Sequence, residues 1–223
     1  MLTPRYVFAD DFRQFYEYFL SMPHTCKTFH KGEVIWKPGQ PHEAIHYIVS
    51  GSVIHYADHE SGRRKIISFH GAGTVFPGYH QSDYKIELSL STSALSDVSV
   101  LEFTRTQFRT MFESNRALSE QVVNWYSMYV NLFLFETVHQ EYNSSLVKLC
   151  NLLYLLASGQ ASHSACTVDI TQEDLADMLG LSRVQITRGL GELRKRAVIS
   201  TGRGKIFVQD LSALAKLCTS ETL

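Results

Sequence analysis

The chain has 223 residues, 44% of them hydrophobic and 19% charged, with 21 basic against 22 acidic side chains and a formal charge of −1. This is a globular composition that excludes collagen-like, low-complexity and highly charged disordered chains, and the length suits one large domain or two small ones. No apolar run of about 18 residues occurs and no basic segment followed by an apolar core opens the sequence, so a soluble cytoplasmic protein without membrane attachment is expected.

Charge is unevenly distributed. The segment up to Glu141 carries 12 basic and 15 acidic residues and the remainder 9 and 7, so attraction to nucleic acid is confined to part of the chain. Cys26, Cys150, Cys166 and Cys218 lack Cys-x-x-Cys spacing and read as reduced, structural thiols. The histidines (His24, His30, His42, His46, His55, His59, His70, His80, His139 and His163) form neither His-x-His nor His-Glu-x-x-His. No metal or other cofactor is expected unless the fold converges distant ligands.

From Lys27 to Phe103, short β-branched and aromatic runs alternate with glycine: KTFHKGEVIWKPGQ, HYIVSGSVIHYAD, RKIISFHGAGTVF and IELSLSTSALSDVSVLEF. Pro38-Gly39 and Glu60-Ser61-Gly62 supply turn chemistry, and Gly51 suggests a bend in a barrel strand. The pattern predicts a small closed β-roll, whose interior holds side chains or one small ligand.

Thr106 to Glu141 then reads as one helix with two apolar stripes, Val122, Tyr126, Tyr129 and Phe133 on one and Trp125, Met128, Leu132 and Phe135 on the other. One face can cover the roll while the other needs a partner, which makes the helix a candidate homodimer spine. A hinge is expected at Glu141 to Ser144, with Asn143 or Ser145 capping the next helix, SLVKLCNLLYLLASG, before a small-residue loop from Ser158 to Ala165. The expected domains are 1–104, an effector-sensing roll; 105–142, dimerisation helix and hinge; and 143–223, a winged helix-turn-helix. The fold class is α+β.

The most specific segment is ITQEDLADMLGLSRVQITRGLGELRKR, Ile170 to Arg196. Thr171 with Asp174, and Ser182 with Gln185, each fit a capping box that satisfies the orphan amides of a helix start. Between them Leu175, Met178 and Leu179 make an apolar face and Gly180 can take the left-handed conformation that ends a helix. On the second helix Ile186, Leu190 and Leu193 face inward and turn Arg183, Val184, Thr187 and Arg188 outward, where the arginines can pair with guanine in a major groove. Arg183 to Lys205 holds seven Lys or Arg and one acidic residue, Glu192, a local charge of 7 − 1 = +6 that suits phosphates. VISTGRGKIFVQD reads as a hairpin wing with Arg203 and Lys205 at its tip, and LSALAKL as a last helical piece.

Roll, long helix and winged helix, in that order over nearly the whole chain, resemble the CRP/FNR family of bacterial transcription regulators; ITQEDLADMLGLSRVQITRGL carries the resemblance most specifically, with KGEVIWKPGQ and HYIVSGSV looking like the family's first strands. The resemblance implies a non-enzymatic homodimer on double-stranded, pseudo-palindromic DNA, a small-molecule signal in the roll, and RNA polymerase as a further partner. It places Arg183, Val184 and Arg188 at base-reading positions and Thr171 and Gln172 at phosphate-touching ones; Ser182, Gln185, Thr187, Arg203 and Lys205 complete the expected DNA face. Valine in place of the commoner acidic reader resembles the branch that senses halogenated phenols.

Family members that bind cyclic AMP have Gly-Glu followed by Arg-Ser or Arg-Thr. Here Gly78 is followed by Tyr79, and no arginine lies between Arg64 and Arg105. A buried phosphate would lack its charge-assisted partner, leaving Lys85 as the one Lys or Arg of the corresponding region, VFPGYHQSDYKIELSLS. An aromatic or other non-cyclic-nucleotide effector is expected instead, with Phe76, Gly78, Tyr79, Tyr84, Lys85, Trp125, Tyr126 and Tyr129 as its candidate contacts. The cysteine cluster of the oxygen-sensing iron–sulfur members is missing. Three alternatives stay open: a haem-based gas sensor using His24, Cys26, His70 or His80; a ligand-independent DNA binder; and a β-roll metal enzyme.

Overall fold

The computed structural model describes residues 2–40, 43–80, 84–158 and 166–223, and its chain separates into two units, Val7–Tyr129 and Met1–Tyr6 with Val130–Leu223. His42, His163 and the expected small-residue loop beyond Ser158 lie outside the described residues. Among the described residues no helix is long and apolar enough to cross a membrane.

The first unit contains β1 (Val7–Phe8), α1 (Tyr16–Ser21), β2 (Thr25–Phe29), β3 (Val34–Trp36), β4 (Ala44–Ser50), β5 (Ser52–Asp58), β6 (Arg64–Gly71), β7 (Val75–Phe76), β8 (Leu90–Ala94) and β9 (Val98–Thr104). They form two sheets, ordered β1-β6-β5-β8-β3 and β2-β9-β4-β7. Pairing is antiparallel except that β1 runs parallel to β6, so the roll recruits an N-terminal strand that the expected Lys27 start omitted. Trp36, Ile48, Val53, Phe76, Ala94, Val98 and Val100 fill part of the interior. The chain reverses between β4 and β5 at Gly51, where φ is +83° and a Cβ would stand 2.1 Å from the Asp97 carbonyl oxygen; only glycine fits.

The single helix expected from Thr106 to Glu141 is two, α2 (Arg105–Ser114) and α3 (Arg116–Tyr142). Asn115 separates them: its backbone is extended and its Oδ1 accepts from the Leu118 amide at 3.1 Å, a local bond that starts a new helix. The stripes also regroup. Leu118, Val122, Trp125, Tyr129, Leu132 and Phe135 are buried, while Val123, Val130, Phe133, Leu134 and Val138 are exposed. Tyr129 therefore belongs with Trp125, and Phe133 stands on the open face.

In the second unit, α4 (Ser145–Ser158) is the buried centre, with Leu149, Cys150, Leu152, Leu153 and Ala157 all covered. Its side-chain cap is Ser144, whose Oγ accepts from the Val147 amide at 3.4 Å, rather than Asn143 or Ser145. Around it lie β10 (Cys166–Asp169), α5 (Gln172–Leu179), α6 (Arg183–Lys195), β11 (Ile199–Gly202), β12 (Lys205–Val208) and α7 (Leu211–Ala215), the strands ordered β10-β12-β11. Tyr6 donates a hydrogen bond to Glu136, which ties the N-terminal residues to this unit.

Candidate nucleic-acid interface and effector site

Both capping boxes form. The Asp174 amide donates to Thr171 Oγ1 at 3.0 Å and the Thr171 amide to Asp174 Oδ2 at 3.2 Å; the Gln185 amide donates to Ser182 Oγ at 3.3 Å and the Ser182 amide to Gln185 Oε1 at 2.9 Å. Gly180 closes α5 with φ +63°. The two boxes start α5 and α6 through side chains that are themselves exposed at Thr171, Ser182 and Gln185.

On α6 the inner face is Ile186, Leu190 and Leu193, all buried, and Arg183, Val184, Gln185, Thr187 and Arg188 are exposed. Val184 is 68% exposed, an apolar group at the centre of a polar surface. Gln172 at the start of α5 accepts from the Thr187 hydroxyl at 2.9 Å, so the expected phosphate-side residue and the reading helix are joined. Gln185 Nε2 donates to Ser145 Oγ at 3.2 Å. Its amide is thus engaged on both atoms, and it faces α4 as well as solvent.

The wing is as expected. β11 and β12 pair with Gly202 opposite Lys205, Gly204 turns the tip with φ +67°, and Arg203 is exposed. Lys205 leans on Asp169 at 3.1 Å, an exposed pair that DNA phosphate can displace. A cleft of about 330 Å³ gathers Thr171, Gln172, Arg183, Arg203 and Lys205 along one surface. The surface is cationic, carries oriented amide and hydroxyl groups, and is flanked by an exposed helix start.

In the roll unit Phe76, Tyr79, Trp125 and Tyr129 are buried and Tyr126 is half-buried, whereas Tyr84 and Lys85 are exposed. Tyr129 Oη lies 2.7 Å from Ser68 Oγ and 2.8 Å from His70 Nε2, with Ser68 to His70 at 3.0 Å. The Tyr129 hydroxyl has one proton, so it can donate to only one of Ser68 Oγ and His70 Nε2 and accepts at the other. Burial raises the Tyr129 pKa far above its ordinary value, so the phenol keeps its proton. Phe76 sits 4.1 Å from His70 and 4.9 Å from His55, ring centre to ring centre, and His55 Nδ1 lies 3.1 Å from Thr92 Oγ1. Of this wall, Phe76 and Tyr129 are among the effector contacts expected from sequence and His70 among the possible haem ligands, whereas Ser68, His55 and Thr92 were not singled out. Ser68 and His70 are two apart on one strand, and that alternation was the available signal.

Lys85 is exposed, and a second cation, Arg105, meets the segment around His80. The Arg105 guanidinium donates to the His80 carbonyl at 2.8 Å, His80 Nε2 lies 2.8 Å from Glu87 Oε1, and Tyr84 stacks on His80 with ring centres 4.6 Å apart. Gly78 packs directly on α3: a Cβ there would stand 2.5 Å from Tyr126 Oη and 2.6 Å from Trp125 Cζ3. Three buried polar atoms, Tyr126 Oη, Trp125 Nε1 and Thr74 Oγ1, have no hydrogen-bond partner among the described residues.

Of the candidate haem ligands, His24 Nδ1 lies 2.7 Å from the Met22 carbonyl, Cys26 is exposed, and His70 and His80 have the partners given above. Among the described residues no group of three His, Cys, Asp or Glu is placed to hold a metal ion.

Residues 147–217 match the Crp-like helix-turn-helix domain family and residues 26–115 the cyclic nucleotide-binding domain family. The global nitrogen regulator of Nostoc sp. (strain PCC 7120) is 24% identical over 205 residues, covering 89% of this chain and 92% of that one. Electron transport regulator A of Shewanella oneidensis is 28% identical over 190 residues, covering 82% and 74%. The solved structure "OCPA complexed CprK (C200S)" superposes with a TM-score of 0.75 at 16% identity, covering 97% of this chain and all of that one, a likeness of fold.

Proposed function

Since the chain belongs to the CRP/FNR family of DNA-binding transcription regulators, we propose that it acts as a homodimer on a pseudo-palindromic operator and answers to a small effector held by the roll. The observation that carries the reading is the cleft that sets Arg183 of α6 beside Gln172 of α5 and Arg203 of the wing. Two such surfaces, related by a two-fold axis, match successive major grooves of one duplex face. In this reading Arg183 and Arg188 grip guanine, and Val184 offers a methyl contact to thymine in place of a carboxylate that would accept from cytosine. Thr171, Gln172, Ser182, Gln185, Thr187, Arg203 and Lys205 hold phosphates or orient the readers.

The exposed valines and leucine of α3 (Val123, Val130, Leu134 and Val138) give the homodimer its seam, since an apolar stripe of this length is otherwise left in water. The effector is not cyclic AMP. The stretch after Gly78 supplies no Gly-Glu pair and no arginine, while Phe76, Tyr79, Trp125, Tyr126 and Tyr129 offer apolar rings with hydroxyl handles. Binding shifts operator affinity only by as much as the effector prefers one geometry of the dimer over the other. RNA polymerase is the partner through which a bound dimer acts.

Selecting DNA from a random pool with the full-length protein tests the reading. A two-fold symmetric consensus, enriched more strongly when aromatic effectors are present, is the expected result. Enrichment of asymmetric or featureless sequences overturns it.

A further inference from the structure

A glycine inside a helix is less favourable than almost any other residue, because it gives up the most backbone freedom and buries nothing. The helix α6 carries two. Gly189 has a packing reason, since a Cβ there would stand 2.7 Å from Leu149 Cδ2. Gly191 has none: its backbone is helical, and among the described residues a Cβ there would meet only Arg194 Nη2, at 3.8 Å, an ordinary contact. Helical spacing puts it in one row with Val184 and Thr187, three and four residues apart, so the bare spot lies on the reading face. Along the axis it stands eight residues beyond Arg183, about 12 Å at 1.5 Å per residue, and the major groove is about 12 Å wide. A helix whose first turn meets base edges therefore brings position 191 to the sugar–phosphate rim. Cations flank it there. Arg194 and Lys195 follow three and four residues later, both exposed, and the Arg194 guanidinium donates to Thr201 Oγ1 of β11 at 3.2 Å.

We infer that a phosphate at the rim of the operator's major groove seats directly against the bare backbone of Gly191, with Arg194 and Lys195 as its cationic walls. The inference rests on the operator-binding reading above and deepens it. Backbone amides inside a helix are already spent on its own carbonyls, so Gly191 supplies close approach and the two flanking side chains supply the charge. The seat reads no base. It sets how deeply α6 sinks into the groove, and so whether Arg183 and Val184 reach the base edges.

Stability and affinity of the full-length protein should move in opposite directions, measured with the operator duplex from the random-pool selection and with an unrelated duplex of equal length. Gly191→Ala and Gly191→Leu put better helix formers at an open position, and the alanine variant should melt about 2 to 4 °C above the parent. Both should nonetheless bind the operator more weakly, about threefold for alanine and at least about tenfold for leucine. The unrelated duplex should lose affinity in the same order, with the ranking of bases at each operator position unchanged, since a phosphate contact is blind to sequence. Lys195→Gln should flatten the salt slope by about one unit in the parent and by less than half as much in Gly191→Leu, where the phosphate is held away. Position-191 variants that bind as tightly as the parent overturn the inference and leave the operator reading standing. A lower Tm in Gly191→Ala overturns it by giving the glycine a packing role, and a changed ranking of bases overturns it by making position 191 a base neighbour. If the parent itself selects no two-fold symmetric sequence, both readings fail.

Discussion

Gln185, in the first turn of α6, reaches the Ser145 hydroxyl at the start of α4 across 3.2 Å while its other amide atom accepts from the Ser182 amide. One side chain thus caps the reading helix and fixes it to the helix that follows the α3 terminus. Ser145→Ala leaves the cap intact and removes only the strut. It should weaken operator binding about two- to fivefold, as loss of one exposed hydrogen bond does, with the same base preference at every position. Competition binding against single-base operator variants checks this; a changed preference would make Gln185 a base reader instead.

Arg183 and Arg203 should fail differently. Arg183→Ala should cost about 1 to 3 kcal/mol on the operator and relax specificity at one base pair, whereas Arg203→Ala should weaken all sequences alike and flatten the salt slope by about one unit. Val184→Glu should move the preference towards cytosine on the contacted strand. Salt titrations on specific and random duplexes separate these outcomes.

Acid should destabilise the roll in two steps. His46 lies 2.8 Å from Glu102, and Lys27 lies 2.8 Å from the same carboxylate. Burial lowers the His46 pKa below 6.5 despite its bond to Glu102. Burial would raise Glu102, but its hydrogen bonds to Lys27 and His46 prevail and bring it below 4.5. Just below pH 6.5 the unfolded chain therefore takes up a proton that folded His46 refuses, and stability falls with pH. Below 4.5 the unfolded carboxyl is protonated before the folded one, and the Glu102 contribution is lost as pH drops through its folded value. Thermal melts from pH 8 to 4 should show Tm declining from about 6.5 downward, with a smaller decline in His46→Gln; a Tm that rises on acidification contradicts the assignment.

The open face of α3 should be what holds two chains together. Leu134→Arg, 63% exposed in one chain, should halve the sedimentation mass and abolish operator binding while leaving the helical content unchanged. A dimer that survives this change would require another seam.

The reading head was legible in the sequence because its determinants are local: Thr171 with Asp174 and Ser182 with Gln185 are three residues apart, and Gly180 marks the stop. The strand runs of the roll were legible for the same reason, through alternation and glycine. What was not legible depends on distance along the chain. Ser68 and His70 meet Tyr129 across about sixty residues, Arg105 returns to His80 from the far side of a 3₁₀ turn and two strands, and β1 joins β6 in a parallel pair that no local pattern announces. The break at Asn115 was hidden because its flanks continue the helical spacing of apolar residues.

At Gly189 on α6, a Cβ would meet Leu149 Cδ2 of α4 at 2.7 Å, and the neighbouring inner residues Ile186 and Leu190 are buried. The two sides of this helix are consequently under separate packing constraints. A side chain at 189 requires Leu149 to shift, whereas the exposed positions 183, 184, 187 and 188 can be exchanged with loss of the Thr187–Gln172 bond but of no buried contact. A lineage carrying this scaffold can therefore rewrite its set of target promoters through a handful of surface codons, and a saturation library over those four positions should remain largely folded while spreading across many operators.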